Sequence, residues 1–254
     1  MGRKYFAWSF DDGLEQDKKI IEILRQYGLG ATFHLNSGLF GDRTYEGRIG
    51  NLGMTETPAS SFDPHARHLL PYVPHFRIPE DEIVQVYRGF EIASHTSHHV
   101  NLSRCTEETR RAEIRDDVEA LSALTGQTVT GFAYPYGAGA KKSRDALKEA
   151  GLQYARLAVT KPGFRFPEDP LAMPLSCWHI SAKTFERLDA FFQAEAEEDL
   201  FFLMFAHGYE FDFGTKESNW DKFRRICEAV ASHDDIIACS IGEALRMHRE
   251  AEND

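Results

Sequence analysis

Short apolar runs alternate with segments of helical period along almost the whole chain, and this rhythm narrows the fold more than any other feature. Residues 4–10 read as a buried strand. Ile20, Ile23, Leu24 and Tyr27 then recur at helical spacing, with Gly28 placed to close the helix. Residues 30–35 form the next strand candidate, and residues 90–93 a shorter one. Thr106 can cap a helix lined by Ile114, Val118, Leu121 and Thr125 and ended by Gly126. Further strands are expected at 131–134, 154–159, 200–205 and 236–239, and further helices at 142–150, 184–197, 219–232 and 241–249. Strands that alternate with helices pair in parallel, so the expected architecture is α/β, with a closed or nearly closed barrel.

A length of 254 residues suits one such barrel, and no repeat, low-complexity tract or linker divides it. Residues 1–254 are therefore expected to form a single domain. One segment breaks the rhythm: residues 36–77 are rich in glycine, proline and polar side chains and show no clear period. A connection of that length following a strand is read as a lid or substrate wall. His65, His68 and His75 lie within it, and without a nearby carboxylate pattern they are weak ligand candidates.

The formal net charge of −11 argues against nucleic acid or an anionic membrane as a partner, since both select basic surfaces. No apolar run approaches the roughly 20 residues needed to cross a bilayer. The four cysteines, Cys105, Cys177, Cys227 and Cys239, have no metal-like spacing and read as reduced thiols. The N-terminal run passes straight into acidic residues without a cleavage-site pattern, and a cytoplasmic protein is the expectation.

Phe10-Asp11-Asp12-Gly13 ends the first strand, and His95-Thr96-Ser97-His98-His99 follows the short apolar run at 90–93. Adjacent carboxylates at the end of an apolar strand are poor packing material. Two histidines four residues apart can share one face of a helical turn. A carboxylate with two imidazoles is a three-ligand set for zinc, with coordination positions left for water and substrate. The other carboxylate is then available as a base. His98, one residue from His99, should point elsewhere.

These motifs, together with Phe132-Ala133-Tyr134-Pro135-Tyr136-Gly137 and Phe205-Ala206-His207, occur in the order seen in polysaccharide deacetylases. The chain resembles this NodB-homology group, carbohydrate esterase family 4, from about residue 5 to 244. The resemblance implies a distorted (β/α) barrel and removal of acetyl groups from N-acetylated sugars by a metal-dependent hydrolase. It implies that Asp12, His95 and His99 hold the metal, usually zinc, with cobalt or nickel also compatible with such donors. Asp11 becomes the general base, His207 the acid that protonates the departing amine, and the backbone N–H of Tyr136 a donor to the oxyanion. Trp178, Tyr134 and Glu210 are expected at the substrate mouth.

The sequence departs from the family pattern at two points. Ala133 stands where the third motif often has an arginine that steers the catalytic aspartate, and Arg156 is the expected replacement. Cys177 stands where an aspartate usually precedes the tryptophan, so another group must orient His207. The substrate is expected to be an N-acylated sugar or oligosaccharide, or a related small molecule. A non-carbohydrate amide is an alternative, as is a barrel that binds metal and sugar without turnover.

Overall fold

The computed structural model describes residues 2–48, 54–58 and 72–252. Its strands are β1 (Lys4–Asp11), β2 (Ala31–Leu35), β3 (Arg43–Arg48), β4 (Met54–Pro58), β5 (Tyr72–Phe76) and β6 (Glu91–Ser94). They continue as β7 (Gly131–Ala133), β8 (Tyr154–Thr160), β9 (Met173–Leu175), β10 (Cys177–Trp178), β11 (Leu200–His207) and β12 (Ile236–Ala238). Helices α1 (Asp17–Tyr27), α2 (Glu80–Val86), α3 (Glu107–Thr125) and α4 (Ala140–Glu149) are followed by α5 (Thr184–Phe192), α6 (Trp220–Ala231) and α7 (Ile241–Glu252).

Eight strands run parallel in the order β10-β11-β1-β2-β6-β7-β8-β9 and form a nearly closed barrel. β12 pairs alongside the first residues of β1. The strand period of two sorts each side chain to one of two faces. Phe6, Trp8 and Phe10 of β1 join Phe33, Phe202 and Met204 in the layer beneath the helices, where Trp8 meets Phe223 of α6 at 5.2 Å. Tyr5, Ala7, Phe201, Leu203 and Phe205 fill the inside of the barrel, which Ile241, Ala244 and Leu245 of α7 help to close. Burying each large apolar side chain contributes about 1.5–3 kcal/mol.

The local signals hold at several helix ends. Gly28 takes φ 66° and donates to the carbonyls of Arg25 and Leu24, ending α1. The Thr106 hydroxyl accepts the Thr109 N–H at the start of α3, and Gly126 closes that helix at φ 68°. α5 stops at Phe192, short of the expected 197. The described part of the insertion is more regular than its composition suggests: β3, β4 and β5 pair as an antiparallel sheet in the order β4-β3-β5. Backbone ladders hold such strands without a long apolar face, so the sequence shows no period there. His65 and His68 lie outside the described residues.

Asp17 opens α1 as a fully buried acid that accepts the Tyr87 hydroxyl at 2.7 Å and the Leu14 N–H at 3.1 Å. Burial pushes its carboxyl up to about 8, against the opposing pull of those two donors. Between about pH 4 and pH 8 the folded chain therefore keeps a proton that the unfolded chain releases, and stability falls as pH rises through this window. Asp17→Asn is expected to flatten that slope and to stabilise the protein more at pH 8 than at pH 5. Denaturant titrations at the two pH values measure it, and equal slopes in both proteins would contradict the assignment.

Candidate active site

The parity that fills the barrel also delivers polar groups to its upper end. Asp11 is the last residue of β1 and lies in register with His34 of β2 and His207 of β11. Arg156 of β8 lies in register with Ala133 of β7. These ends are where barrel folds place their chemistry.

The two aspartates have different surroundings. Asp11 is buried against the Arg156 guanidinium, which donates to its Oδ1, and His34 Nδ1 stands 3.3 Å from the same oxygen. Burial alone would raise this carboxyl; Arg156, then His95 and His34, outweigh it and hold the group well below the usual carboxylate range. The charge missing at Ala133 is thus present on the neighbouring strand, at the paired position. Arg156 is itself fully buried and lies 4.4 Å over the Phe205 ring. The sequence reading overlooked His34, although its alternate position on an apolar strand is the signal that could have found it.

Asp12 turns the chain at φ 80° and splits its oxygens between two sets of imidazoles. Oδ1 lies 3.6 Å from His99 Nε2 and 3.9 Å from His95 Nε2. Oδ2 lies 3.1 Å from His75 Nε2 and 3.9 Å from His207 Nε2. Burial would raise this carboxyl, but His99, His75 and His207 keep it well below its ordinary value.

His95 Nδ1 donates to the Ala133 carbonyl at 2.8 Å, which leaves the Nε2 lone pair facing the acids. Burial, with Asp11 opposing and His99 reinforcing, brings His95 down to about 3, so its ring is neutral. Asp12 Oδ1 is buried without a hydrogen-bond partner. One donor atom each from Asp12, His95 and His99 lie within 4.8 Å of one another. An orphaned carboxylate oxygen beside two imidazoles, one of them neutral with its lone pair facing the acids, fits a divalent cation.

The histidine motif does not form the expected helical turn. Thr96 and His99 take φ 65° and 52°, and the two ligand-type rings meet at 4.9 Å through a kinked loop. The Asn36 amide donates to the carbonyls of His95 and Thr96, and Asp117 accepts the His95 N–H, so side chains supply bonds a helix would have made. Among the described residues, the non-glycine positions with positive φ are Asp12, Thr96, His99 and Tyr136. Each such backbone costs about 1–3 kcal/mol, and all four surround this site. His98 does point elsewhere: its Nδ1 stands 2.9 Å from Glu113 at the surface.

His207 Nδ1 lies 3.5 Å from Glu210 Oε2, which also accepts the His207 N–H at 2.8 Å and the Trp178 indole N–H at 3.2 Å. Burial would lower the imidazole; Glu210, then Asp12 and Asp11, raise it to about 9, so the ring carries a proton at neutral pH. Glu210 was expected at the substrate mouth, but it is buried and turned inward to these donors. Glu210 is thus the carboxylate that faces the His207 ring and backbone. Tyr134 is also corrected: its ring is buried in the core and its hydroxyl donates to the Leu171 carbonyl, away from any mouth. Trp178 is half-buried beside Phe205, and Tyr136 is 66% exposed with its ring 4.7 Å from His99.

The fold has counterparts. Residues 1–155 match the polysaccharide deacetylase family. The chain belongs to that family, the NodB-homology group of carbohydrate esterase family 4. Among solved structures, a Mycobacterium smegmatis protein assigned as a polysaccharide deacetylase is 15% identical, with a TM-score of 0.61 over 99% of this chain and 92% of that one. A family 4 carbohydrate esterase from Streptomyces lividans, solved with acetate, is 17% identical, with a TM-score of 0.51 over 93% of this chain and 91% of its own. The deacetylase PplD of Streptococcus pyogenes, also solved with acetate, is 14% identical at a TM-score of 0.47; the match covers 65% of this chain and 61% of that one. Curated proteins yield no match. Among the described residues no helix is long and apolar enough to cross a membrane.

Proposed function

We propose that this chain is a metal-dependent amide hydrolase that removes an acetyl or similar small acyl group from the nitrogen of a sugar. The observation that carries the reading is the partnerless Asp12 Oδ1 facing His95 and His99, with Asp11 and His207 within reach of the same point. Asp12, His95 and His99 would hold the cation. When bound, a divalent ion polarises the acyl carbonyl and acidifies water.

The protein groups supply the proton transfers. Asp11, kept ionised by Arg156, takes a proton from the attacking water as its oxygen bonds to the acyl carbon. Tyr136, held at φ 58°, offers its backbone N–H to the developing oxyanion. His207 gives its proton to the amine nitrogen as the C–N bond breaks, leaving a carboxylic acid and a free amine. The exposed Tyr136 ring and the indole of Trp178 provide apolar faces suited to a sugar ring. We assign zinc as the most suitable ion, and the whole of residues 1–254 as one catalytic domain.

Acetate release from N-acetylglucosamine oligomers and from small N-acetylated sugars tests the function, with and without chelator. His207→Ala is expected to lower kcat by about 10²–10⁴-fold. Turnover undiminished by chelator, or by loss of His207, would contradict the reading.

A further inference from the structure

His75 comes from the insertion, yet it is buried at the centre of the site. Its Nε2 lies 3.1 Å from Asp12 Oδ2. An ionised carboxylate only accepts, so Nε2–H donates and the ring is fixed in that orientation. Thr44, paired with His75 across β3 and β5, places its hydroxyl 3.3 Å from Nδ1. Tyr209 packs on the ring at 5.1 Å.

The strand that carries His75 is fastened to the chain immediately after Asp12. On one side the Gln16 amide donates to the Pro74 carbonyl at 2.8 Å. On the other, Glu15 N–H donates to Phe76 O at 2.8 Å and Ile78 N–H to Gly13 O at 2.9 Å. Leu14 and Arg77 form an antiparallel bridge between these bonds. β5 therefore clamps the turn that contains Asp12, and His75 is the side chain it sends to the carboxylate.

Resting on the metal-site reading above, we propose that His75 is a positioning residue. It holds Oδ2 of Asp12 so that Oδ1 alone is presented to the cation. The two oxygens already divide in this way: Oδ1 faces His95 and His99, whereas Oδ2 faces His75 and His207. His75 is not itself in the converging donor set formed by Asp12, His95 and His99. The insertion thereby contributes His75 to the metal centre. Orienting partners of this kind usually govern affinity, because a ligand free to rotate must be ordered when the ion binds.

The test compares zinc affinity, by competition with a chromophoric chelator, in the unaltered chain, Asp12→Ala, His75→Ala and His75→Gln. Visible spectra of the cobalt(II)-loaded proteins and melting curves by circular dichroism accompany it. His75→Ala is expected to bind zinc about 10–100-fold more weakly and to alter the cobalt spectrum. His75→Gln, whose amide can donate from nearly the position of Nε2, should restore most of the affinity and the original spectrum. Unchanged zinc affinity in His75→Ala overturns the positioning role alone, as does a loss that glutamine fails to restore while the fold melts normally. Absence of zinc binding by the unaltered chain, or binding undiminished in Asp12→Ala, removes the metal-site reading and this inference with it.

Discussion

Asp12→Ala is expected to strip the chain of its metal affinity and to lower acetate release by about 10³-fold or more, corresponding to several kcal/mol of lost charge stabilisation. The substitution removes the one oxygen that faces His95 and His99 without a protein donor. It also leaves His75 and His207 without the carboxylate between them. Zinc content after dialysis and single-turnover acetate release measure the two effects. Asp12→Asn keeps the volume and separates the loss of charge from the loss of packing. A variant that retains stoichiometric zinc and full turnover would exclude the site.

Arg156→Met is expected to destabilise the fold by about 3–5 kcal/mol, because it leaves the buried Asp11 charge without its guanidinium partner. Methionine fills much of the same space, so the loss reports charge rather than a cavity. Arg156 holds the Asp11 carboxyl low, and its removal lets that carboxyl rise toward the value burial favours. A base that must be ionised then fails first in acid: relative activity of the variant drops at low pH and recovers as pH rises. Denaturant titration reads the first effect, and the acid limb of kcat/KM against pH the second. An unshifted acid limb would show that Asp11 does not act as the base.

Much of the barrel was legible because its signals are local. The helix at α1 declared itself through Ile20, Ile23 and Leu24 and its closing Gly28, and all three side chains are buried where that period puts them. Asp12, His95 and His99 were readable because each stands in a short motif at the end of a strand, and the fold brings their donor atoms together. Where the reading departed from the structure, longer-range contacts had replaced local ones. His95 and His99 meet through a left-handed kink held by Asn36 and Asp117, from outside the motif. Tyr134 and Glu210, expected at the substrate mouth, turn inward because Leu171, His207 and Trp178 offer them partners there.

The sequence by itself determined the alternation that makes a parallel barrel, the motif that places two acids at the end of β1, and the pair of histidines that can meet them. Period and spacing are properties of neighbouring residues, and they survive without knowledge of the fold. Tertiary structure alone decided what surrounds those groups. It seated the expected Arg156 opposite Ala133 and set His34 beside Asp11 and His75 against Asp12. The physical reason is strand register: cross-strand pairing brings together side chains far apart in the chain, and a displacement of one residue would send each to the opposite face of the sheet.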